Sequence, residues 1–267
     1  MTADCQRAAC RFFPFTYPAA CRFLPFTYPA ACRFLTYTYR PSGLFLCFTT
    51  PLSCAKICLM ICIIDYDAGN VKSVLKAFRY LGEDVILSRD PAVIFEADHV
   101  VLPGVGNFGD AVDKIDEYGL RDVIAEVVSR GTPFLGICVG LQLLFEGSEE
   151  SPGAQGLHLL TGFNSRFKKE DGCKIPQIGW NSIHFKKESR LFKDVPDGSF
   201  VYFVHSYHAS GTDASDVSAV TAYGETFPAA VEKGNLFACQ FHPEKSGRVG
   251  LQILRNFTEI GKGEAVC

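Results

Sequence analysis

The sequence predicts an α/β protein with a mostly parallel, doubly wound central sheet that is flanked by helices and gains additional strands in its second half. Short apolar runs alternate with amphipathic stretches from Met60 onward, as in parallel strands joined by helices. A cysteine between two glycines follows one of these runs, where a strand is expected to lead into a helix. Because the alternation continues along residues 60–267, we interpret this part of the chain as one domain.

The first predicted strand covers residues 60–65, and a helix follows from Asn70. Its apolar residues recur at three- and four-residue intervals, and Gly82 suits a helix C-terminus. Further buried strands are predicted at 85–87, 99–102 and 134–137, with an amphipathic stretch at 120–130 before the last of them.

The second half is predicted to be richer in strands and to end in a helix at 247–260 with one buried side. Five strand patterns precede that helix, at 178–185, 200–207, 217–223, 229–232 and 236–240. In a doubly wound sheet the active-site residues lie outside the carboxyl ends of the strands. The residues that follow strands 134–137 and 236–240 can therefore meet in space.

Residues 1–59 contain an eleven-residue tandem repeat, which reads ACRFFPFTYPA at 9–19 and ACRFLPFTYPA at 20–30 before a third copy opens at Ala31. Prolines interrupt the repeats and no helical or alternating pattern persists, so we expect this segment not to fold. Met60 is a plausible start codon. We interpret the segment as an extension from a mis-called translation start, with a cleaved targeting peptide as the alternative.

This segment does not require a disulfide, membrane or metal function. It holds seven of the twelve cysteines, but the rest of the chain is typical of a reduced enzyme. Pro51 and Lys56 interrupt the apolar stretch 42–64, so we expect no membrane span. Cys54, Cys58 and Cys62 are spaced by four, but no histidine or second cysteine pair completes a metal site, and none is expected.

The charge distribution argues against a nucleic-acid partner. The chain has a formal net charge of −3, and since residues 1–59 contribute +5, the remainder carries −8. Such an acidic body does not favour nucleic-acid binding. No phosphate loop or dinucleotide fingerprint is present, so we also expect no cofactor.

The most informative motif is FLGICVGLQ at 134–142, which places Cys138 at a predicted strand-to-helix turn. Gly136 and Gly140 remove the Cβ atoms that would clash in such a strained turn. A cysteine in an apolar run is more often core filler, but the two glycines favour a nucleophile.

A second motif, QFHPEKS at 240–246, supplies His242 and Glu244. Pro243 disfavours the helical region for His242 and so favours an extended backbone there. Together with Cys138 these residues predict a Cys-His-Glu triad, in which the imidazole takes the thiol proton and the carboxylate orients the imidazole. The chemistry predicted is acyl transfer through a thioester.

These motifs and the loop PGVGNFGDA resemble the class I (triad) glutamine amidotransferases, over Met60 to about Lys262. Within that superfamily, DYDAGN, PGVG, QIGWN and YFVHSY resemble the glutaminase subunits of imidazole glycerol phosphate synthase. Asp67-Ala68 departs from the glycine and methionine that many members carry, whereas Gly69-Asn70 is retained. The resemblance implies the class I amidotransferase fold and hydrolysis of L-glutamine to L-glutamate and ammonia.

The resemblance also implies roles for residues around the triad. The oxyanion would be bound by the backbone N–H of Val139, which is also the geometric choice at the start of the elbow helix, and by that of Val105. In the resembled family the Val105 peptide can flip, and the glycines on both sides make such a rotation sterically cheap. Substrate contacts are implied for Gln142, Glu150 and the backbone at Ser206 and Tyr207. Residues implied at a partner interface are Asn70, Trp180 and Lys245.

A free glutaminase would release ammonia to solvent, so the resemblance implies a partner. That partner is a (β/α)8 cyclase subunit, HisF, which receives the ammonia within a heterodimer of histidine biosynthesis in a bacterial or archaeal cytoplasm. One alternative is the glutaminase of pyridoxal phosphate, anthranilate or aminodeoxychorismate synthesis, which PGVGNF and QIGWN disfavour. The other is a non-catalytic scaffold of the same fold, which the complete triad disfavours.

Overall fold

The computed structural model describes residues 59–168 and 173–261, together with the backbone of two short antiparallel strands, β1 (Thr36–Tyr37) and β2 (Cys47–Phe48). The chain divides into two compact units, Met1–Lys56 and Ile57–Cys267. The prediction of an unfolded extension at 1–59 and the proposed absence of a metal at Cys54 and Cys58 concern residues that lie almost wholly outside the described part. The unfolded extension and the absence of a metal site at these cysteines therefore remain predictions.

The first half of the larger unit alternates strands and helices. Its strands are β3 (Met60–Ile64), β4 (Asp84–Ser88), β5 (His99–Gly104) and β6 (Phe134–Cys138). The connecting helices are α1 (Val71–Tyr80), α2 (Pro91–Glu96), α3 (Phe108–Glu117) and α4 (Leu120–Ser129). Every residue of β5 and β6 is buried, as expected for parallel strands covered on both faces, whereas the edge strand β4 is largely exposed.

The second half adds a short helix, more strands and a final helix. After α5 (Val139–Gln142) come β7 (Phe163–Arg166), β8 (Gln177–Ser182), β9 (His184–Phe185), β10 (Phe200–His205), β11 (Tyr207–Ser210), β12 (Val217–Tyr223), β13 (Glu225–Lys233), β14 (Leu236–Cys239) and α6 (Gly247–Glu259). Two 3-10 turns lie at Arg190–Phe192 and Pro243–Lys245.

The central sheet has eight strands in the order β4-β3-β5-β6-β14-β13-β12-β9. Pairing is parallel from β4 to β14 and antiparallel from β14 to β9. The chain moves outward from β3 to β4 and then returns past β3 to β5, which makes a topological switch point between β3 and β5. The predicted fold class is confirmed. The carboxyl ends of β3, β5, β6 and β14 share one edge of the sheet, where a ligand site is expected.

Several predicted elements differ in extent from the structure. The strand expected at 178–185 is two strands, because β8 pairs with β10 whereas β9 joins the edge of the central sheet at β12. The strand expected at 200–207 likewise divides, since β10 pairs with β8 and β11 pairs with β7. Helices α2 and α3 and strand β7 had no counterpart in the prediction. Two cap signals could have found the helices: Asp90 before Pro91 caps α2, and Asn107 caps α3.

Helix α6 closes the core against the sheet. Ile253, Leu254, Phe257 and Ile260 are buried, as the apolar periodicity predicted, whereas Val249 on the same predicted side is only partly buried. The Phe257 ring lies 6.4 Å from that of Phe78 and 6.3 Å from that of Phe237, centroid to centroid. Among the described residues no helix is both long and apolar enough to cross a membrane.

The aromatic contacts of α6 lead to a prediction about stability. Phe257→Ala should lower the free energy of unfolding by about 3–5 kcal/mol, because it leaves a cavity among packed rings. Phe200→Ala makes the same deletion at a side chain that is 58% exposed and should cost less than about 1 kcal/mol. Urea unfolding followed by circular dichroism compares the two variants. Equal losses would contradict the assignment of Phe257 to the core.

Candidate active site

Cys138 ends β6 and has a strained backbone, with φ 55° and ψ −109°. This region is costly for a residue with a side chain, about 1–3 kcal/mol, and such strain is concentrated at functional sites. Helix α5 starts at the next residue and lies against β5. A Cβ on Gly140 would come within 1.9 Å of the Leu102 carbonyl oxygen, and one on Gly136 within 2.8 Å of the Gly140 oxygen. Glycine is therefore required at both positions for the strand-turn-helix elbow.

His242 reaches Cys138 because of the strand register. Strand β14 pairs with β6 in parallel, with Cys239 beside Ile137, so the residues beyond both strands emerge at the same edge. His242 has an extended backbone, φ −99° and ψ 96°, before Pro243. Its Nδ1 lies 2.9 Å from Oε1 of Glu244, and the two side chains are 1% and 0% exposed.

The contacts of His242 fix how its imidazole can act. Because Nδ1 is bonded to Glu244, Nε2 is the nitrogen left for the Cys138 thiol. Burial lowers the pKa of His242, but its interactions with Cys138 and Glu244 outweigh burial and raise the pKa to about 9. The imidazole can therefore hold a proton at neutral pH.

Asn70 contacts the triad carboxylate directly. It lies in the left-handed region, φ 69°, at the start of α1, and its Nδ2 donates to Oε1 of Glu244 at 2.6 Å. That oxygen thus accepts from both Asn70 and His242. The sequence resemblance had implied an interface role for Asn70, whereas its side-chain hydrogen bond within the described chain is made to Glu244.

A cavity of about 250 Å³ opens beside the nucleophile and is lined in part by Cys138 and His242. Each predicted oxyanion and substrate residue also lines it, namely Val105, Val139, Gln142, Glu150, Ser206 and Tyr207. Glu244 lies behind His242, outside the lining. The buried His205 is a lining residue too, and burial is the main cause that lowers its pKa to about 3.

The end of β5, just before the loop at Val105, is fixed by a hydrogen bond from Tyr66. The Tyr66 hydroxyl donates to the Pro103 carbonyl at 2.7 Å, two residues before Val105. A Cβ on Gly104 would lie within 2.8 Å of the Gly140 nitrogen, so this glycine is also needed for close packing on the elbow. Gly106 has φ 97° and open space around it. Val105 thus lies between Gly104, which is closely packed, and Gly106, which has open space around its Cα.

The side chains of Gln142 and Glu150 each make hydrogen bonds within the described chain with some of their polar atoms and leave others unbonded there. Gln142 Nε2 donates to the Tyr207 carbonyl at 2.8 Å and to Gln240 Oε1 at 3.1 Å. Glu150 Oε2 accepts from the backbone N–H of Phe108 at 2.8 Å, at the N-terminus of α3, where a carboxylate is favoured. The second oxygen of Glu150 and Oε1 of Gln142 make no hydrogen bond among the described residues.

The sequence reasoning did not identify Gln240. Its side chain is fully buried, and Nε2 lies 3.7 Å from Sγ of Cys138. One signal was present: a lone amide inside the apolar run LFACQF at 236–241, where a buried polar residue calls for a partner. The amide functions of Asn70 and Gln240 depend on contacts with distant segments, which the motifs alone do not reveal.

Two of the partner-interface residues implied by the resemblance, Trp180 and Lys245, lie at or beside an exposed apolar surface on β8 and β10. We call it the β8–β10 patch, and it consists of Ile178, Trp180 and Phe200. Trp180 is 55% exposed and packs edge-on against Tyr202, centroids 6.2 Å apart. The Lys245 ammonium lies 6.0 Å from the centroid of the same Tyr202 ring. The Trp180 side chain is therefore accessible at the surface of the described chain.

Comparisons with known proteins agree with this geometry. The family model for glutamine amidotransferase class-I matches residues 62–260. The imidazole glycerol phosphate synthase subunit HisH of Chlorobium luteolum is 49% identical over 201 residues, covering 75% of this chain and all of that protein. HisH of Thermosynechococcus vestitus is 50% identical over 204 residues, covering 76% of this chain and 97% of that protein.

Solved structures support the fold. A crystal structure of a glutamine amidotransferase matches with a TM-score of 0.59 at 19% identity, over 74% of this chain and 97% of the other. The structure of PurLQS from Thermotoga maritima matches with a TM-score of 0.57 at 19% identity, over 75% and 98%. The family model and the HisH relatives carry the assignment further: this chain belongs to the class I glutamine amidotransferases and, within them, to the HisH family.

Proposed function

We propose that this protein is the glutaminase subunit of an imidazole glycerol phosphate synthase in histidine biosynthesis. It hydrolyses L-glutamine to L-glutamate and ammonia. The observation that carries the proposal is the buried Cys138, His242 and Glu244 arrangement beside a cavity, in a chain about half identical to HisH subunits.

In this mechanism the Cys138 sulfur attacks the side-chain amide carbon of glutamine. His242 takes up the thiol proton and gives it to the departing nitrogen, so ammonia leaves and a thioester remains. A water molecule then attacks the thioester, glutamate leaves, and the thiol is restored. Glu244 keeps the imidazole oriented through Nδ1 and stabilises its charge.

The oxyanion of each tetrahedral intermediate needs hydrogen-bond donors. We assign one to the backbone N–H of Val139, at the first residue of α5, and the other to Val105. Both residues line the cavity. The open conformation of Gly106 next to Val105 supports a peptide that can rotate.

The amino acid end of glutamine fits the remaining lining groups. Since both N–H bonds of the Gln142 amide are used within the protein, its Oε1 is the atom available to a ligand. That oxygen and the second oxygen of Glu150 would accept hydrogen bonds from the α-ammonium group. The backbone at Ser206 and Tyr207 would contact the α-carboxylate end.

The partner in this proposal is the cyclase subunit HisF, in the cytoplasm. The HisH relatives are named as subunits of a synthase, so a second subunit is expected to consume the ammonia. The β8–β10 patch, with Lys245 beside it, is the surface we assign to that contact. Exposed aromatic groups at the centre of a patch are typical anchors of protein interfaces.

Glutamate release from glutamine is the direct test. The purified chain should release glutamate faster when a HisF subunit and its nucleotide substrate are both added. Cys138→Ala should lose at least about 10³-fold of this activity, because the nucleophile is removed. Cys173→Ala is the matched control, a cysteine outside the cavity lining. If the rate of glutamate release is the same with and without the cyclase subunit, the chain serves another synthase. Full activity of Cys138→Ala would exclude the triad mechanism.

The charge of Glu244 should set the pH range of the reaction. Glu244→Gln removes one of the interactions that raise the pKa of His242 to about 9, so the pKa should fall. The imidazolium is then lost at lower pH, and the alkaline limb of the kcat profile should move to lower pH, with kcat reduced roughly 10²-fold or more. Glu188→Gln, at an exposed position outside the cavity lining, is the control. An unshifted alkaline limb in Glu244→Gln would show that this carboxylate does not act on His242.

The proposed interface predicts a loss of partner affinity. Trp180→Ala should raise the Kd for HisF about 30-fold, corresponding to about 2 kcal/mol, because an exposed aromatic anchor is deleted. Tyr80→Ala is the matched control, since Tyr80 is also exposed but lies at the end of α1, outside β8 and β10. Isothermal titration calorimetry measures both. Equal Kd values of the two variants for HisF would show that Trp180 does not lie at the interface.

A further inference from the structure

Gln240 places a hydrogen-bond donor on the reacting sulfur. It follows β14, its side chain is 0% exposed, and its backbone N–H donates to the Ala229 carbonyl at 2.9 Å. The side-chain Nε2 lies 3.7 Å from Sγ of Cys138, within hydrogen-bonding range of a sulfur. A fully buried amide directed at a nucleophile requires an explanation beyond packing.

The orientation of this amide follows from its neighbours. The Tyr207 carbonyl can only accept, so the Gln142 atom that lies 2.8 Å away must be the donor Nε2. The same Nε2 lies 3.1 Å from the Gln240 amide, and the Gln240 atom that faces it must therefore be the acceptor, Oε1. Nε2 of Gln240 is consequently the atom left on the sulfur side. If the Gln240 amide were rotated by 180°, its Nε2 would face Nε2 of Gln142, and two donors would meet without an acceptor.

We propose that Gln240 is a catalytic residue whose amide N–H stabilises the Cys138 thiolate. The thiolate is present before attack on the substrate amide and again when the thioester is hydrolysed, and a hydrogen bond to the ionised sulfur favours both states. The amide exchanges no proton, so His242 remains the group that takes up and returns the proton. This role deepens the proposed glutaminase function and rests on it for its catalytic meaning.

The same contacts join the nucleophile to the ligand-binding side of the cavity. Gln142 lines the cavity and holds Oε1 of Gln240. Gln240 in turn reaches Cys138. A ligand that orders Gln142 thus also orders the donor to the sulfur, because the three side chains form one hydrogen-bonded chain.

Two variants of Gln240 distinguish the effect of its hydrogen-bond donor from the effect of its side-chain packing. Gln240→Met keeps a similar length and removes both polar atoms, whereas Gln240→Glu keeps the acceptor for Gln142 and replaces the donor with a carboxylate. Gln252→Met is the matched control, because Gln252 lies on α6 and its amide bonds to Asn256, outside the cavity. Circular dichroism and thermal unfolding verify that each variant is folded. If Gln240→Met does not fold, Gln240→Leu, which also lacks the amide and adds no charge, carries the test.

The measurement is the rate of Cys138 alkylation by iodoacetamide as a function of pH, read by peptide mass spectrometry, with Cys138→Ala as the assignment control. Either Gln240 variant should move the midpoint upward by about one pH unit, a tenfold loss of thiolate below the midpoint. Their kcat for glutamate release at neutral pH should fall about tenfold or more. Gln252→Met should match the parent in both assays.

The outcomes distinguish the two proposals. An unshifted alkylation profile in a folded Gln240 variant overturns the role of Gln240, even where the parent is an active glutaminase. A shifted profile in a chain that releases no glutamate under any condition supports the hydrogen bond to the sulfur and overturns the proposed glutaminase function instead.

Discussion

The close approach of the elbow helix to the neighbouring strand is the constraint on which the site depends. Gly140 leaves no room for a Cβ beside the Leu102 carbonyl, and Cys138 accepts a positive φ as the chain turns. This geometry places the first N–H groups of α5 next to the cysteine sulfur, which is the arrangement an oxyanion requires. If the helix stood further from β5, the sulfur, the Val139 N–H and the loop at Val105 would no longer border one cavity.

A second level of organisation is the sharing of buried polar groups around the nucleophile. Oε1 of Glu244 accepts from both His242 and Asn70, and the Gln240 amide connects Gln142 to Cys138. Buried polar groups are costly unless they are paired, so each of these contacts also limits how the others can move. Cys138 and Glu244 are therefore held from two directions: Asn70, just before α1, bonds to the carboxylate, and Gln240, just after β14, lies against the sulfur.

The sequence predicted the sheet, and it predicted that Cys138, His242 and Glu244 would come together, for a physical reason. Parallel strands are buried on both faces and leave unbroken apolar runs, and the elbow needs glycines at fixed positions around Cys138. It did not predict the contacts of Asn70 and Gln240, which join residues 174 and 102 positions apart and are decided by register. It also merged strands such as β10 and β11, because an apolar pattern does not show that pairing changes at Ser206. Local patterns thus identify which residues react, while long-range packing decides which residues support them.

The exposed β8–β10 patch is linked to the triad by backbone hydrogen bonds. The Tyr202 carbonyl on β10 accepts from the His242 N–H at 2.9 Å, and the Ser246 hydroxyl accepts from the Tyr202 N–H at 2.9 Å while donating to the His242 carbonyl at 2.7 Å. Trp180 packs on the Tyr202 ring from the neighbouring strand. A subunit docked on this patch, as proposed above, would therefore contact a strand whose backbone is bonded directly to His242. Trp180 packs on the Tyr202 ring, and the Tyr202 backbone bonds to both His242 and Ser246, so the proposed contact surface and the imidazole are connected through Tyr202.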